Sequence, residues 1–287
     1  MLRVDYRQYP SYPEGYTIHL AMGFIAAFLG AMALPAILSH HYEAATFLAL
    51  AATQFREVRS LERDSLAAME ETELVHRGSA YIEGIARTFE ARNYLAMLAS
   101  LLSSLAAVLA RAWWPSPFVS FGAGLGIGMG GGFLMAHGGR GRRVGDVALV
   151  EVAPLEFEGP LLKVAGVIVM NVGLDSARRT LQEKGLGAVI RPHDADARAT
   201  LANLGQRQAI AHDCAVLLGI HKDVDEPEFT PLVRRNSDTG EVVVVIVPDK
   251  KEPEALLTAI RHVPLLEAAI RKPTEATAGR MAQRERE

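Results

Sequence analysis

Residues 16–38 read YTIHLAMGFIAAFLGAMALPAIL, and His19 is their only strongly polar side chain. A helix needs about 20 apolar residues to cross the roughly 30 Å hydrocarbon core of a bilayer, so this stretch is long enough to span a membrane. Residues 94–114 and 118–137 are two further apolar stretches of this kind, with Arg111 near the end of the first of them. We therefore predict an α-helical membrane bundle of three transmembrane helices within a membrane domain at residues 1–145.

Three buried helices of a large soluble protein are the alternative interpretation of these stretches. Helices of soluble proteins usually carry a polar face, which these stretches lack. Residues 16–38 are also too long for the apolar part of a cleavable signal peptide. Trp113 and Trp114 end the second stretch, as aromatic side chains do at a membrane interface, and Pro115 and Pro117 then turn the chain back.

The distribution of arginine predicts the orientation in the membrane. Residues 54–93 carry six arginines, whereas the opposite side of a three-span protein would hold only Arg3, Arg7 and Arg111. Cytoplasmic loops are enriched in Lys and Arg, so we predict a protein of the cell membrane with its N-terminus outside and its C-terminal half in the cytoplasm. The basic residues after the third span are expected to anchor it on anionic lipid; they are Arg140, Arg142 and Arg143.

Glycine recurs at regular spacing in the third span. Two interleaved ladders of GxxxG spacing run through it, and such ladders let helix backbones approach closely. A dinucleotide-binding loop is excluded because the string GxGxxG has no preceding strand here. An irregular segment that lines a cavity is the weaker alternative. The ladders consist of Gly122, Gly126 and Gly130 and of Gly124, Gly128 and Gly132.

A charged segment, residues 43–93, separates the first two spans. Apolar residues such as Val58, Leu61 and Leu66 recur in it at helical spacing, with acids and arginines on the opposite face. Its apolar run at residues 44–52 is too short to cross a bilayer. We therefore expect a solvated cytoplasmic helix that begins at the membrane interface or extends inward from the first span.

Residues 77–92 read RGSAYIEGIARTFEAR, and residues 201–213 read LANLGQRQAIAHD. Both segments resemble the YIEGIA family, as do the residues that lead through the second span. The resemblance covers most of the chain and implies a multi-pass membrane protein of an endospore-forming bacterium, with a context in sporulation. It carries no catalytic assignment. The signature hexapeptide consists of Tyr81, Ile82, Glu83, Gly84, Ile85 and Ala86.

Glu83 is the only ionisable residue of the hexapeptide besides Tyr81, and it precedes the second span by about three helical turns. An acid near the membrane needs a partner or a water-filled cavity. Arg87 lies four residues later, which is the favoured helical spacing for a glutamate–arginine pair. We expect a structural ion pair, and a catalytic carboxylate is the alternative.

Residues 146–272 predict a cytoplasmic α+β domain of ordinary size, and residues 273–287 a disordered tail. Turn signals and alternating or β-branched residues predict strands at residues 147–157, 162–172, 187–191, 228–235 and 241–247. Capping residues and periodicity predict helices at residues 175–183, about 194–218, 252–262 and 265–271. Asp175 is expected to cap the first helix, and Asp194 or Asp196 the second.

No zinc-binding spacing, phosphate-binding loop or serine-hydrolase motif occurs in this sequence, so we predict no metal and no cofactor. His212 and Asp213 are consecutive, and side chains of consecutive helical residues point about 100° apart, so we do not expect them to form one site. Cys214 is the only cysteine, and its apolar neighbours indicate a buried small side chain. The net charge of −3 gives no indication of nucleic-acid binding.

Two classes of function fit these features. The first is a non-catalytic regulator or scaffold in a sporulation-related process, held in the bilayer and binding an unidentified protein partner through the cytoplasmic domain. The second is a membrane-embedded or membrane-surface protease that uses carboxylates near the cytoplasmic boundary. Transport would require a homo-oligomer, because three spans in one chain form no pathway. The candidate protease residues are Glu83, Glu70, Glu71 and His76.

Overall fold

A computed structural model describes residues 13–70, 73, 75–138, 141–220, 222–223, 226–227, 229–278 and 281. The chain divides into two compact units. A helical unit comprises Met1–Ser65 and Ile85–Arg140, and an α+β unit comprises Leu66–Gly84 and Gly141–Glu287. The predicted contiguous membrane domain at residues 1–145 therefore differs from the observed division, because residues 66–84 belong to the α+β unit.

Four long helices form the helical unit and the segment that joins it to the α+β unit. They are α1 (Pro13–Leu38), α2 (Tyr42–Met69), α3 (Ser79–Trp113) and α4 (Pro117–Gly138). Three segments of them are long and apolar enough to cross a membrane, namely Tyr16–Leu38, Ser79–Trp113 and Pro117–Leu134. The three predicted apolar helices are thus present, and the second begins well before residue 94.

Helix α2 folds back along α1 as a helical hairpin. Nε2 of His19 lies 3.5 Å from Oε1 of Glu62. At about 1.5 Å per helical residue, the length of α1 from His19 to Leu38 is about 30 Å. The length of α2 from Tyr42 to Glu62 is about the same. The charged helix therefore runs beside the whole first span and does not leave it as a separate cytoplasmic segment.

Helix α3 runs in the same direction as α1. The rings of His19 and Phe89 meet edge to face at 4.0 Å. Further along both helices, a Cβ on Gly30 would collide with the carbonyl of Met97 and the hydroxyl of Ser100. The predicted three-span topology requires the first two spans to run in opposite directions, and the structure differs because α2 returns the chain between them.

Helix α4 packs antiparallel on α3 through one of the two glycine ladders. A Cβ on Gly124 would lie 3.1 Å from the carbonyl oxygen of Ser103, and one on Gly128 would lie 2.9 Å from the Ser103 hydroxyl. Within the described chain, a Cβ on any of the remaining ladder positions would meet nothing within 4 Å; these are Gly122, Gly126, Gly130 and Gly132.

The α+β unit contains two principal antiparallel sheets. Its strands are β1 (Ala148–Val152), β2 (Leu155–Glu158), β3 (Leu161–Val164), β4 (Val167–Asn171), β5 (Leu186–Pro192), β6 (Lys222–Asp223), β7 (Glu226–Pro227), β8 (Leu232–Arg235) and β9 (Val242–Ile246). One sheet has four strands in the order β1-β5-β9-β8, another has three in the order β2-β3-β4, and β6 pairs with β7. Leu162, Val164 and Leu181 pack with Val243 and Val245 in the core.

Four helices complete the described α+β unit, together with short 3-10 turns. They are α5 (Asp175–Lys184), α6 (Ala195–Leu201), α7 (Leu204–Leu218) and α8 (Pro253–His262). Helix α8 packs on α7 and on strands β1 and β5. The predicted helix at residues 175–183, the strand at residues 187–191, the β8–β9 hairpin and the helix at residues 252–262 are all present, with shifted ends.

Four sequence-based predictions of single elements were wrong. Residues 147–157, predicted as one strand, form β1 and β2, which belong to different sheets. The strand predicted at residues 162–172 is the hairpin β3–β4, whose turn places Ala165 and Gly166 at positive φ angles of 47° and 76°. The helix predicted to run to about Leu218 is divided before α7, where the Asn203 side chain accepts a hydrogen bond from the Gln206 N–H. Only a 3-10 turn, Glu267–Ala269, stands where residues 265–271 predicted a helix.

Of the predicted helix caps, the one at Asp194 is confirmed and the one at Asp175 is wrong. Asp194 caps α6 by accepting from the Ala197 N–H. Asp196 instead accepts hydrogen bonds from the backbone N–H and the hydroxyl of Thr274, and these bonds lower the pKa of its carboxyl. Asp175 is the first residue of α5, whose cap position is Leu174. Thr274 lies in the tail that was predicted to be disordered, yet it is hydrogen-bonded to Asp196. Most of residues 279–287 lie outside the described residues.

The contact at Gly30 predicts a paired effect of alanine on α1. Alanine at Gly23, where a Cβ meets nothing within 4 Å, should stabilise the protein by up to about 1 kcal/mol through helix propensity. Alanine at Gly30 should destabilise it by about 1–3 kcal/mol because the methyl group must displace α3. Thermal unfolding of Gly23→Ala and Gly30→Ala in detergent compares the two, and equal stabilisation by both would contradict the close packing of α1 on α3.

Candidate functional site at the signature hexapeptide

The loop that leads into α3 is held by an arginine between two acids. Nη1 of Arg77 lies 3.3 Å from Oε1 of Glu70, and Nη2 lies 3.1 Å from Oε1 of Glu73. The second oxygen of Glu70 accepts the Gly78 N–H at 2.9 Å. The Arg77 side chain is only 8% exposed. A buried charge requires a partner of opposite charge, and these two acids supply it. Glu70, a predicted catalytic acid, thus serves as a hydrogen-bond acceptor for the loop.

The remaining protease candidates occupy different surroundings. His76 is 66% exposed, and its Nδ1 lies 3.8 Å from Glu70, beyond hydrogen-bonding distance. Glu71 lies outside the described residues. Glu83 is half-buried, and Arg87 is exposed one turn later on α3. The predicted Glu83–Arg87 pair stays a prediction.

The start of α3 packs closely on α7. Oε1 of Gln208 accepts the Tyr81 N–H at 3.0 Å. Gly78 has a positive φ of 86°, and a Cβ there would collide with the Gln208 amide. On α7, a Cβ at Gly205 would lie 2.6 Å from the carbonyl oxygen of Ala80. These contacts require glycine on both sides, because the two backbones approach without room for a side chain.

Tyr81 brings two residues of α7 into one cluster. Its ring is 2% exposed, and its hydroxyl donates a hydrogen bond to the Asp213 carboxylate. The His212 ring lies 6.0 Å from the Tyr81 ring, and its Nδ1 lies 3.7 Å from Oδ1 of Asp213. His212 and Asp213 were not expected to share a site, and a tyrosine from a distant part of the chain joins them.

His212 is buried in this cluster. Among the described residues, neither of its ring nitrogens makes a hydrogen bond. The neighbouring Cys214 is also buried, and burial together with the Asp213 charge raises the pKa of its thiol. A thiol of raised pKa is a poor nucleophile, which agrees with the predicted structural role of Cys214.

Nearly all of the hexapeptide is buried. Tyr81, Ile82, Ile85 and Ala86 are at most 3% exposed, and a Cβ on Gly84 would lie 3.3 Å from Leu266. The boundary between the two units falls inside the hexapeptide, after Gly84, although α3 continues through it. The hexapeptide is therefore mostly buried, and Glu83 is its most accessible side chain.

A second buried ionisable pair lies in the helical unit. The side chains of His19 and Glu62 are 4% and 13% exposed, and burial raises the pKa of Glu62 to about 7. Beside them, Arg59 of α2 lies 3.8 Å from Glu90 of α3. Sequence reasoning missed Glu62 because its neighbours Arg63 and Asp64 made this face of α2 look solvated.

Two of the three predicted anchoring arginines, Arg142 and Arg143, lie near the point where the chain re-enters the α+β unit. Arg142 and Arg143 are exposed, and Arg140 lies outside the described residues. The backbone of Arg142 accepts a hydrogen bond from the Leu265 N–H, and the Arg143 N–H donates to Asp146. Their backbones thus have hydrogen-bond partners within the α+β unit, and both side chains are exposed. Among the described residues, no group of three His, Cys, Asp or Glu side chains could hold a metal ion.

The Tyr81–Asp213 hydrogen bond predicts a measurable contribution to stability. Tyr81→Phe removes the donor and leaves a largely buried carboxylate without it, which should lower the free energy of unfolding by about 1.5–3 kcal/mol. Tyr94→Phe is the matched control on the same helix, since Tyr94 is 39% exposed, and its effect should be close to zero. Thermal unfolding in detergent measures both, and equal stabilities would contradict the contribution of this bond.

The comparisons with known proteins agree with the family resemblance of the two segments that meet in this cluster. A family model described as YIEGIA protein matches residues 1–276. The chain is 43% identical over 277 residues to the "Uncharacterized protein YphB" of Bacillus subtilis (strain 168), an alignment that covers 96% of this chain and 90% of that protein. No solved structure matches. The family match and the identity over nearly the whole chain show that the protein belongs to the YIEGIA family.

Proposed function

We propose that this protein is an integral membrane regulator or scaffold in a sporulation-related process, whose α+β unit binds a protein partner. One observation carries the proposal: residues 77–92 and 201–213, the two segments that resemble the family, pack on each other at the start of α3. Helix α3 is continuous over 35 residues and contributes to both units. Such a helix can couple a partner on one unit to the packing of the other.

A membrane protease is the second candidate, and the His19–Glu62 pair favours it. A carboxyl with a pKa of about 7 exchanges a proton near neutral pH, as general acid–base catalysis requires. Perturbed ionisable groups are enriched at active sites, although structural pairs also produce them. Glu70 supports this candidate less, because Arg77 and Gly78 already occupy its oxygens.

Three glutamine variants separate the two functions. Glu83→Gln, Glu62→Gln and the exposed control Glu43→Gln are compared with a deletion strain by quantitative proteomics during sporulation. For a regulator or scaffold, we expect each variant to retain most of the cellular effect in proportion to its own abundance. A protease carboxylate cannot be replaced by glutamine, which neither ionises nor exchanges a proton. A variant of normal abundance that reproduces the deletion and accumulates another protein would contradict the scaffold.

We further propose that the N-terminus and the α+β unit lie on the cytoplasmic side of the cell membrane. If α1 and α3 both cross the bilayer in the same direction, α2 must return the chain between them. Its apolar first half would then lie within the bilayer and its charged second half, from Glu57, at the boundary. In this arrangement Arg111 is the only lysine or arginine on the outer side, whereas the predicted topology places Arg3, Arg7 and Arg111 there. The new arrangement therefore fits the enrichment of basic residues in the cytoplasm better.

Cysteine labelling tests this topology in a Cys214→Ala background. Single cysteines at Ser39 and Ser116, in the turns after α1 and α3, should react with a membrane-impermeant maleimide in intact cells. Cysteines at Ser11 and Ser237 should react only after permeabilisation. A Ser11 cysteine that reacts from outside, with a protected Ser39 cysteine, would restore the three-span arrangement with the N-terminus outside.

A further inference from the structure

A histidine and a glutamate face each other in the interior of the helical unit. Nε2 of His19 on α1 lies 3.5 Å from Oε1 of Glu62 on α2, and their side chains are only 4% and 13% exposed. The ring of Phe89 on α3 covers the histidine, because the two rings pack edge to face at 4.0 Å. Three helices therefore surround a contact between two ionisable groups that water scarcely reaches.

The charged groups beside Glu62 come from all three helices. Helix α1 supplies His19, α2 supplies Arg59 about one turn before Glu62, and α3 supplies Glu90, which lies 3.8 Å from Arg59. Arg59 and Glu90 have opposite charges and lie side by side, so their effects on Glu62 oppose each other. Burial is then the main influence, and it raises the pKa of Glu62 to about 7.

We propose that the contact between His19 and Glu62 is a proton-controlled contact that holds α2 against α1. When its carboxyl carries a proton taken from solvent, Glu62 is neutral and can donate to an imidazole nitrogen. When that proton returns to solvent, a carboxylate is left between three helices, and such a charge is far more stable in water. Loss of the proton therefore favours separation of α2 from α1 at this level.

The direction of the pH dependence follows from which state holds the proton more tightly. An exposed glutamate, with a pKa of 4.5, is ionised throughout the neutral range, whereas the buried Glu62 keeps its proton up to about pH 7. The stability of the closed contact is thus fully present below pH 4.5 and falls as the pH rises through about 7. With these two pKa values, the population in which α2 is open should increase about tenfold between about pH 6 and about pH 8.

Cysteine accessibility measures this opening in the full-length protein purified in a non-ionic detergent. In a Cys214→Ala background, Val58→Cys places a thiol beside the contact, because Val58 is 8% exposed and packs with Ala26 and Phe89. Ser65→Cys, at an exposed position of the same helix, corrects for the ionisation of the thiol with pH. The rate of maleimide labelling at residue 58 relative to residue 65 should rise about tenfold from about pH 6 to about pH 8.

Variants of Glu62 decide whether its proton is responsible. Glu62→Gln neither binds nor releases a proton, so the relative rate should change less than about twofold across this range, whereas the exposed control Glu43→Gln should keep the full rise. Glu62→Met, with an apolar side chain of similar length, replaces Glu62→Gln if the latter does not fold. A relative rate that is constant with Glu62 in place, or that rises equally without it, would overturn the proposal. Purified protein makes the result independent of the partner and of the membrane orientation proposed above.

Discussion

The packing of α3 on α7 is the constraint on which the α+β unit and the signature hexapeptide depend. Tyr81 is buried there. Its hydroxyl donates to Asp213, and its backbone N–H donates to the side-chain oxygen of Gln208. A buried carboxylate is stable only when it is hydrogen-bonded or paired, so the tyrosine hydroxyl and the acid each require the other. Tyr81 lies in the first turn of α3, so these contacts fix the position at which the helix begins. The same helix then continues into the helical unit.

The hexapeptide is a packing element with one accessible acid. Ile82, Ile85 and Ala86 are buried, and Gly84 allows Leu266 to approach. A catalytic motif usually presents its reactive groups to a cleft, whereas most side chains of this motif are buried. The acids of the preceding loop are likewise committed to Arg77 and Gly78. This use of side chains favours a regulator or scaffold over a protease built on the hexapeptide.

The helical unit concentrates its polarity at one level. His19, Glu62, Arg59 and Glu90 lie near one another, at the end of α1 that is distant from the turn into α2. Polar and ionisable groups near a bilayer require partners, and here each helix supplies part of them. Away from that level, small residues set the contacts, since Gly30 admits the backbone of α3 and Gly124 admits that of α4. Polar pairing and close backbone contact thus fix the hairpin of α1 and α2 and the parallel course of α1 and α3.

The sequence by itself determined the elements whose signals are local. Length and hydropathy predicted three apolar helices, and turn residues predicted the β8–β9 hairpin, because these depend on neighbouring residues. Sequence patterns did not reveal the hairpin at Ala165–Gly166, whose alanine adopts a positive φ that the surrounding strands impose. Only the tertiary structure decided that α2 lies along α1, that Tyr81 joins His212 and Asp213, and that Asp196 binds Thr274. These contacts join residues far apart in the chain, and neither periodicity nor local propensity carries information about which distant side chain will be the partner.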